Sequence, residues 1–369
     1  MFKKLATLLI CCAAAGSAQS ETNQNSLHGV WTGKIGNLPI NACFDLGQKA
    51  NQFGSYYYLS QLKPIPLEMK DHGASWSEVD DKNGSQWTIS SAKGDVVSGT
   101  WSGGAKQLPL NLTRIKASTK NADGDDQPCG SNAFFAPRVK PFKIIQSPAK
   151  LDGITYTKMT LDAGKQFDVD LDTFKLNGTT PGISAVNKRL LSVLPKKGKV
   201  APYIECLQNT LSGSGRDGSY TVNTTPVVLT KSWLVASSGD GSYCGGAHPL
   251  NSSSEDVYNL RNGTDVDLRE WLLAGAIDQD GKLSNNLNAL VLGKFVKDPD
   301  TDKECADSAK NAFGWTLSLA KQGVSFTPSL SYAETACMNP TVLSVSEVAP
   351  FLNADGKKQL ANFQSELPK

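Results

Sequence analysis

Six cysteines, Cys43, Cys129, Cys206, Cys244, Cys305 and Cys337, are spread along the chain at wide intervals, and two more, Cys11 and Cys12, sit close to its start. No other feature restricts the fold so strongly. Six half-cystines allow fifteen pairings, each with its own set of topologies, and whether they pair at all depends on the compartment. Lys3 and Lys4 precede an apolar run from Leu5 to Ala15, which is followed by Gly16, Ser17 and Ala18. This is the pattern of a cleavable secretory signal over residues 1–20, too short to span a bilayer. Ile10 precedes Cys11, where a lipid-attachment signal wants Gly, Ala or Ser, so a lipoprotein is not expected. Cleavage removes Cys11 and Cys12. The other six then reach the periplasm or the exterior, where an even set oxidises in pairs. No C-x-x-C spacing suggests zinc instead.

Charge narrows the partners. The chain has 37 basic and 35 acidic residues, and without Lys3 and Lys4 both counts are 35. A balanced mature chain has no bulk attraction for nucleic acid or anionic membrane. No later stretch is apolar for long enough to be a transmembrane segment.

The fold class expected is an N-terminal all-β small barrel followed by an α+β domain with an antiparallel sheet. Residues 28–116 carry the barrel pattern. Ile40, Ala42, Phe44 and Leu46 alternate with polar or small residues, as do Ile65, Leu67 and Met69, and Leu108, Leu110 and Leu112. Period two means one buried face per strand. Turn signals at Gly36, Gly47, Asn83-Gly84, Gly94 and Gly103-Gly104 separate these runs. Trp31, Trp76, Trp87 and Trp101 are expected as core filling, with a ligand-stacking platform as the alternative. Residues 117–141 are polar and proline-containing and read as a linker.

Residues 142–369 mix α and β. Phe167, Val169 and Leu171 alternate with Asp168, Asp170 and Asp172. Ile183, Val186, Leu190 and Leu194 follow helical spacing behind Thr180-Pro181, and Leu287, Leu290, Val291 and Phe295 mark a second helix. Tyr220 to Ser237 reads as two strands, and Trp315 to Phe326 as a hairpin turning at Lys321-Gln322-Gly323. Asp267-Leu268-Arg269-Glu270 resembles a capping box, and Ser344 to Glu347 caps a further helix.

Catalytic constellations are absent from the sequence. The histidines number three, His28, His72 and His248, with no G-x-S-x-G and no H-E-x-x-H. Ser212-Gly213-Ser214-Gly215 lacks a following Lys-Thr and reads as a loop. The Asp278-Asp280-Gly281 and Asp298-Asp300-Asp302 runs imitate calcium loops but lack the closing glutamate or the glycine. No metal, cofactor or catalytic residue is therefore expected. The densest cluster is Tyr243-Cys244-Gly245-Gly246-Ala247-His248-Pro249, which reads either as a recognition loop or as a disulfide-anchored turn.

The same cluster carries a family resemblance. Gly245-Gly246-Ala247-His248-Pro249, then Val257 to Gly263, then Asp267-Leu268-Arg269-Glu270-Trp271-Leu272, resemble the motif order of the RsiV-type extracytoplasmic domain, over residues 150–365. The resemblance implies an α+β domain. In that family it serves as a lysozyme receptor on an anti-sigma factor, or accompanies a peptidoglycan deacetylase. This chain departs from both: it shows neither a transmembrane helix nor a deacetylase domain. Gly29 to Gly33 resembles the opening of small lipocalin-like or lysozyme-inhibitor barrels.

The function expected is an exported envelope binding protein. Its partner would be a cell-wall hydrolase, met in an inhibitor or immunity role, or a glycan such as peptidoglycan. Tyr243, Gly245, Gly246 and His248 would be its contact residues. The alternatives are an enzyme acting on envelope polysaccharide through carboxylates, and a structural envelope protein. If pairing respects domains, Cys43 bonds Cys129. Cys206 with Cys244 and Cys305 with Cys337 then each bracket one strand or hairpin unit. The processed chain should begin at Gln19 or Glu21; intact-mass measurement of exported protein decides this, and residues 1–18 retained, or a lipid on Cys11 or Cys12, would refute it.

Overall fold

A computed structural model describes residues 26–368 other than 48–51, 80, 122 and 197. The secretory signal expected from the sequence, with Cys11 and Cys12, lies outside the described residues. Eight strands come first: β1 (Gly29–Ile35), β2 (Leu38–Asp45), β3 (Phe53–Tyr58), β4 (Ile65–Lys70), β5 (Ser75–Glu78), β6 (Gln86–Lys93), β7 (Val96–Gly103) and β8 (Lys106–Arg114). Each pairs antiparallel with the next, and β1 also pairs with β8, so the barrel is closed and has no free edge. Trp31, Trp76 and Trp87 are fully buried inside it, packed with Phe44 and Tyr56. Trp101 is only partly buried; its indole N–H donates to Glu78 at 2.7 Å.

β2 and β3 are buried on both faces along most of their length, and β1 at its start. β2 reads Leu38–Asp45 with every residue from Ile40 onward buried, so Asn41, Cys43 and Asp45 on its outer face are covered too. The cover is a shared core. Val30, Cys43 and Tyr57 from the outside of the barrel meet Cys129, Phe134 and Phe135 from the short helix α1 (Asn132–Phe135) and the turn before it. The same cluster includes Leu161, Phe167, Leu171, Leu207, Leu211 and Val222 from the second half of the chain. Residues 117–141, polar in composition, thus include an apolar plug.

The plug is fixed by one buried cation. Arg138 is 0% exposed. It donates from Nε to the Leu62 carbonyl at 2.8 Å and from a terminal nitrogen to Asp217 Oδ2 at 2.5 Å. Its guanidinium lies over the rings of Phe167, Phe135 and Tyr57 at 5.1–5.8 Å. Burial pushes the Asp217 carboxyl up, against the lowering effect of Arg138 beside it. Removing one partner of such a pair leaves an uncompensated buried charge.

Beyond the plug lies a seven-stranded sheet in the order β15-β14-β13-β12-β11-β10-β9. Its strands are β9 (Lys143–Leu151), β10 (Ile154–Asp162), β11 (Asp168–Leu176), β12 (Ser219–Leu229), β13 (Trp233–Tyr243), β14 (Leu250–Asn259) and β15 (Thr264–Asp265). Only β11 and β12 run parallel, and the crossover between them contains helices α2 (Pro181–Leu190) and α3 (Pro202–Ser214). Thr180 caps α2 through Ile183 N–H. A three-stranded sheet, β16 (Gly314–Ala320), β17 (Gly323–Ser329) and β18 (Thr341–Ser344), packs on the other side. Trp233, Trp271, Phe295, Trp315, Phe326 and Phe363 fill the core there. That core also takes helices α4 (Asn285–Phe295), α5 (Lys303–Lys310), α6 (Val345–Val348) and α7 (Ala354–Glu366). The fold class is therefore a barrel followed by an α+β unit.

Two local readings need correction. Ser212 to Gly215 is not a loop: α3 continues to Ser214, with Gly215 at φ 68° closing it. Tyr203, Leu207 and Leu211 form its buried stripe at four-residue spacing. Asp267 heads only a short 3-10 turn, Leu268–Trp271, accepting from Arg269 N–H rather than from Glu270. By contrast, Ser344 and Glu347 do form a reciprocal capping box at α6. The disulfides join Cys43 to Cys129, Cys206 to Cys244 and Cys305 to Cys337.

Arg138→Met should lower stability by about 3–5 kcal/mol, since Asp217 then stays buried without a partner. Adding Asp217→Leu should restore most of the loss. Denaturant titration of the two variants checks this; equal stability of the single variant and the parent would refute it.

Candidate functional site

The Tyr243–Pro249 segment joins β13 to β14. Its start is anchored three times. Cys244 is bonded to Cys206 on α3. Thr210 Oγ1 donates to the Tyr243 carbonyl at 3.1 Å. The Tyr243 hydroxyl donates across the turn to Gly246 O at 3.1 Å. Gly245 and Gly246 both have φ near +96°, which side-chain-bearing residues rarely adopt. Nothing lies within 4 Å of a Cβ built on Gly246, so backbone conformation alone explains that glycine. At the far end Tyr332 donates its hydroxyl to Pro249 O at 2.5 Å. Between these anchors Ala247 and His248 are exposed. The structure therefore brings Tyr243, Gly245, Gly246 and His248 together in a held turn that projects one imidazole outward.

The strand that follows is unusual. Leu250 to Asp256 is exposed at every residue, and Leu250 is 70% exposed. This stretch pairs with β13 from Ser242↔Leu250 to Ala236↔Asp256, while β15 covers only Tyr258 and Asn259. Among the described residues, the other edge of Leu250–Asp256 has no strand. Beside it is a cavity of about 370 Å³ lined by Asn251, Ser253, Leu330, Tyr332 and Met338. A second, of about 450 Å³, shares Ser253 and Met338 and continues past Glu255 to Thr316 and Pro340 on the small sheet. The far wall is held by the Cys305–Cys337 bond, which ties the Tyr332–Cys337 turn to α5.

A separate cleft of about 420 Å³ opens at the barrel rim, between Asp45, Phe53, Asp125, Asp126 and the end of α3 at Ser212 and Gly213. His28 bonds Asp126 Oδ2 at 3.1 Å and accepts from Leu46 N–H at Nδ1. The Thr119 hydroxyl, and then His28, hold the Asp126 carboxyl below the usual range. Asp45 is the reverse case: burial pushes it up, partly offset by Gly47 N–H and by His28. Sequence reading missed this cleft. The signal was present, because Cys43 and Asp45 share the outer face of β2 and Asp125 and Asp126 precede Cys129. A Cys43–Cys129 bond necessarily brings these acids near each other.

Other expected positions are scattered. His72 sits on a barrel turn at φ 54°. Asp168 and Asp170 are exposed on β11, and Asp172 is ion-paired with Lys158 at 2.6 Å. Among the described residues, no three His, Cys, Asp or Glu side chains are grouped to hold a metal ion, and no helix is long and apolar enough to cross a membrane. The disulfides fit an extracellular or secreted setting.

No family model and no curated protein matches the chain. Solved structures that resemble it include the following two. One is a member of the duf3298 family from Bacteroides fragilis, 14% identical, with a TM-score of 0.40 over 61% of this chain and 97% of that one. The other is a DUF3298 family protein from Pseudomonas aeruginosa, also 14% identical, with a TM-score of 0.36 over 58% of this chain and 95% of that one.

Replacing both Cys206 and Cys244 by Ser should cost about 4 kcal/mol of stability by freeing the unfolded chain. It should also raise amide exchange selectively at Gly245–His248. Hydrogen-exchange mass spectrometry reads both; unchanged exchange in this turn would show that Thr210 and Tyr332 suffice to hold it.

Proposed function

We propose that the chain is an exported envelope protein that binds a protein partner, a cell-wall hydrolase of the lysozyme kind, in an inhibitor or immunity role. On this reading residues 28–116 form a barrel domain, 117–141 a connector, and 142–369 the RsiV-like binding domain. The signal at residues 1–20 directs the chain to the periplasm or beyond. The observation that carries the reading is the exposed edge of Leu250–Asp256, continuous with the Tyr243–Pro249 turn and flanked by two cavities. A free strand edge offers a row of backbone donors and acceptors to an extended segment of another chain. The cavities beside it can take alternate side chains of that segment. Serines dominate this strand, so its side chains leave room for a partner. A glycan would be better served by an exposed aromatic platform, and Tyr332, the one aromatic among the described residues lining the smaller cavity, is engaged with Pro249.

Ser253→Trp fills the space that both cavities share, and His248→Ala removes the projecting ring. Each should weaken lysozyme binding by about tenfold or more while moving the melting temperature by no more than about 2 °C, as is usual for exposed positions. Surface plasmon resonance with purified lysozyme and thermal scans of the two variants test this. Binding of insoluble peptidoglycan but not of lysozyme, or full affinity in Ser253→Trp, would refute a protein partner at this edge.

A further inference from the structure

The inner face of the barrel carries a carboxylate. Trp76 is fully buried inside, and Glu78, two residues further along β5, points the same way. Its cross-strand neighbour Leu67 is buried too. Glu78 itself is half-buried, at the end of its strand. Two donors fix it: the Tyr56 hydroxyl at 2.5 Å and the Trp101 indole N–H at 2.7 Å, both on Oε1. The carboxyl group is thus held in one orientation where the apolar interior meets solvent.

Its surroundings are aromatic and apolar. Trp31, Trp76 and Trp87 fill the barrel, but Trp101, in one cross-strand row with Trp87 and Leu108, is only partly buried. Its six-membered ring lies against Gly103, where a Cβ would meet Cη2 at 2.5 Å and Cζ2 at 2.7 Å. The glycine is what admits this pose. Tyr58 stands edge-on to Tyr56, with ring centroids 5.5 Å apart, and is half-buried as well. Leu38 shares the inner face of β2 with Ile40, which pairs with Tyr58, and is 51% exposed. A few fixed polar groups in apolar and aromatic surroundings are the usual make-up of a small-molecule site.

The chemistry selects the ligand. A carboxylate only accepts, and one such group can take two neighbouring hydroxyl donors. The Trp101 and Tyr58 rings suit an apolar C–H face. A pyranose ring has both features, whereas an inorganic cation would use the carboxylate and leave the rings uncovered. We propose that this end of the barrel binds a pyranose residue of a saccharide, with Glu78 accepting from adjacent ring hydroxyls and Trp101 packing on a C–H face. The site is built from barrel residues alone, so it does not depend on what the Leu250–Asp256 edge binds.

Titration of the full processed chain with β-linked trisaccharides of glucose, galactose and N-acetylglucosamine, read by calorimetry and tryptophan fluorescence, tests the proposal. At least one should bind saturably, one per chain, and shift the emission. Glu78→Gln keeps an acceptor for Tyr56 and Trp101, so the melting temperature should move by no more than about 2 °C while affinity falls about tenfold. Trp101→Leu should lose about tenfold or more. Gly103→Ala displaces the indole without removing a polar group and should also weaken binding. Ser253→Trp, on the β14 edge, should leave saccharide affinity unchanged. Absence of binding for all three saccharides, full affinity in Glu78→Gln or in Trp101→Leu, or loss of binding in Ser253→Trp would each overturn the assignment. Tighter binding of propylammonium chloride than of any saccharide would do the same.

Discussion

Arg138 is the point on which the two halves of this protein meet. A guanidinium with no solvent contact must find its counter-charge inside the fold, and the groups around it come from separated stretches of the chain. Leu62 belongs to the barrel, Asp217 precedes β12, and the flanking rings are Tyr57, Phe135 and Phe167. Leu62 lies between β3 and β4 and Asp217 between α3 and β12, so the cation ties the barrel to the sheet. Apolar contacts of Cys129, Phe134 and Phe135 surround it and exclude water, which strengthens the Asp217 interaction and raises the cost of disturbing it.

How much of this was legible in the sequence follows from what each signal measures. Period-two alternation reports one buried face, and it served for the inner residues Ile40, Ala42 and Phe44. It could not report that Asn41, Cys43 and Asp45 are buried as well, because polar side chains on an outer face read as solvated. The end of helix α3 was hidden for a related reason: Ser212, Gly213 and Ser214 are poor helix formers, and the buried Tyr203, Leu207 and Leu211 stripe stops just before them. The Tyr243–Pro249 turn was conspicuous because glycine and cysteine announce backbone constraint directly. The free edge of β14 was not, since serine-rich segments look like loops until their pairing partner is known.

The two candidate sites differ in what they offer. The edge of β14 presents backbone groups and small polar side chains over about seven residues, an arrangement suited to an extended chain of variable sequence. The rim cleft gathers Asp45, Asp125 and Asp126 in a confined volume. Rigid supports lie behind both. Cys206–Cys244 and Cys305–Cys337 brace the first, and Cys43–Cys129 lies under the second. Ordering cost on association is correspondingly low, because the surfaces are held before a ligand arrives.

The order of the disulfides along the chain bears on how the protein matures. The six described cysteines pair consecutively along the sequence: Cys43 to Cys129, Cys206 to Cys244, Cys305 to Cys337. A polypeptide threaded N-terminus first through a membrane exposes its thiols in that same order. Each odd thiol then waits alone for its proper mate, and a catalyst that simply oxidises the two most recent arrivals produces the native linkage set. Such a chain needs an oxidase during translocation but no shuffling afterwards. Consecutive pairing leaves disulfide isomerases, whose work is to undo bonds formed out of turn, little to correct in any chain exported this way.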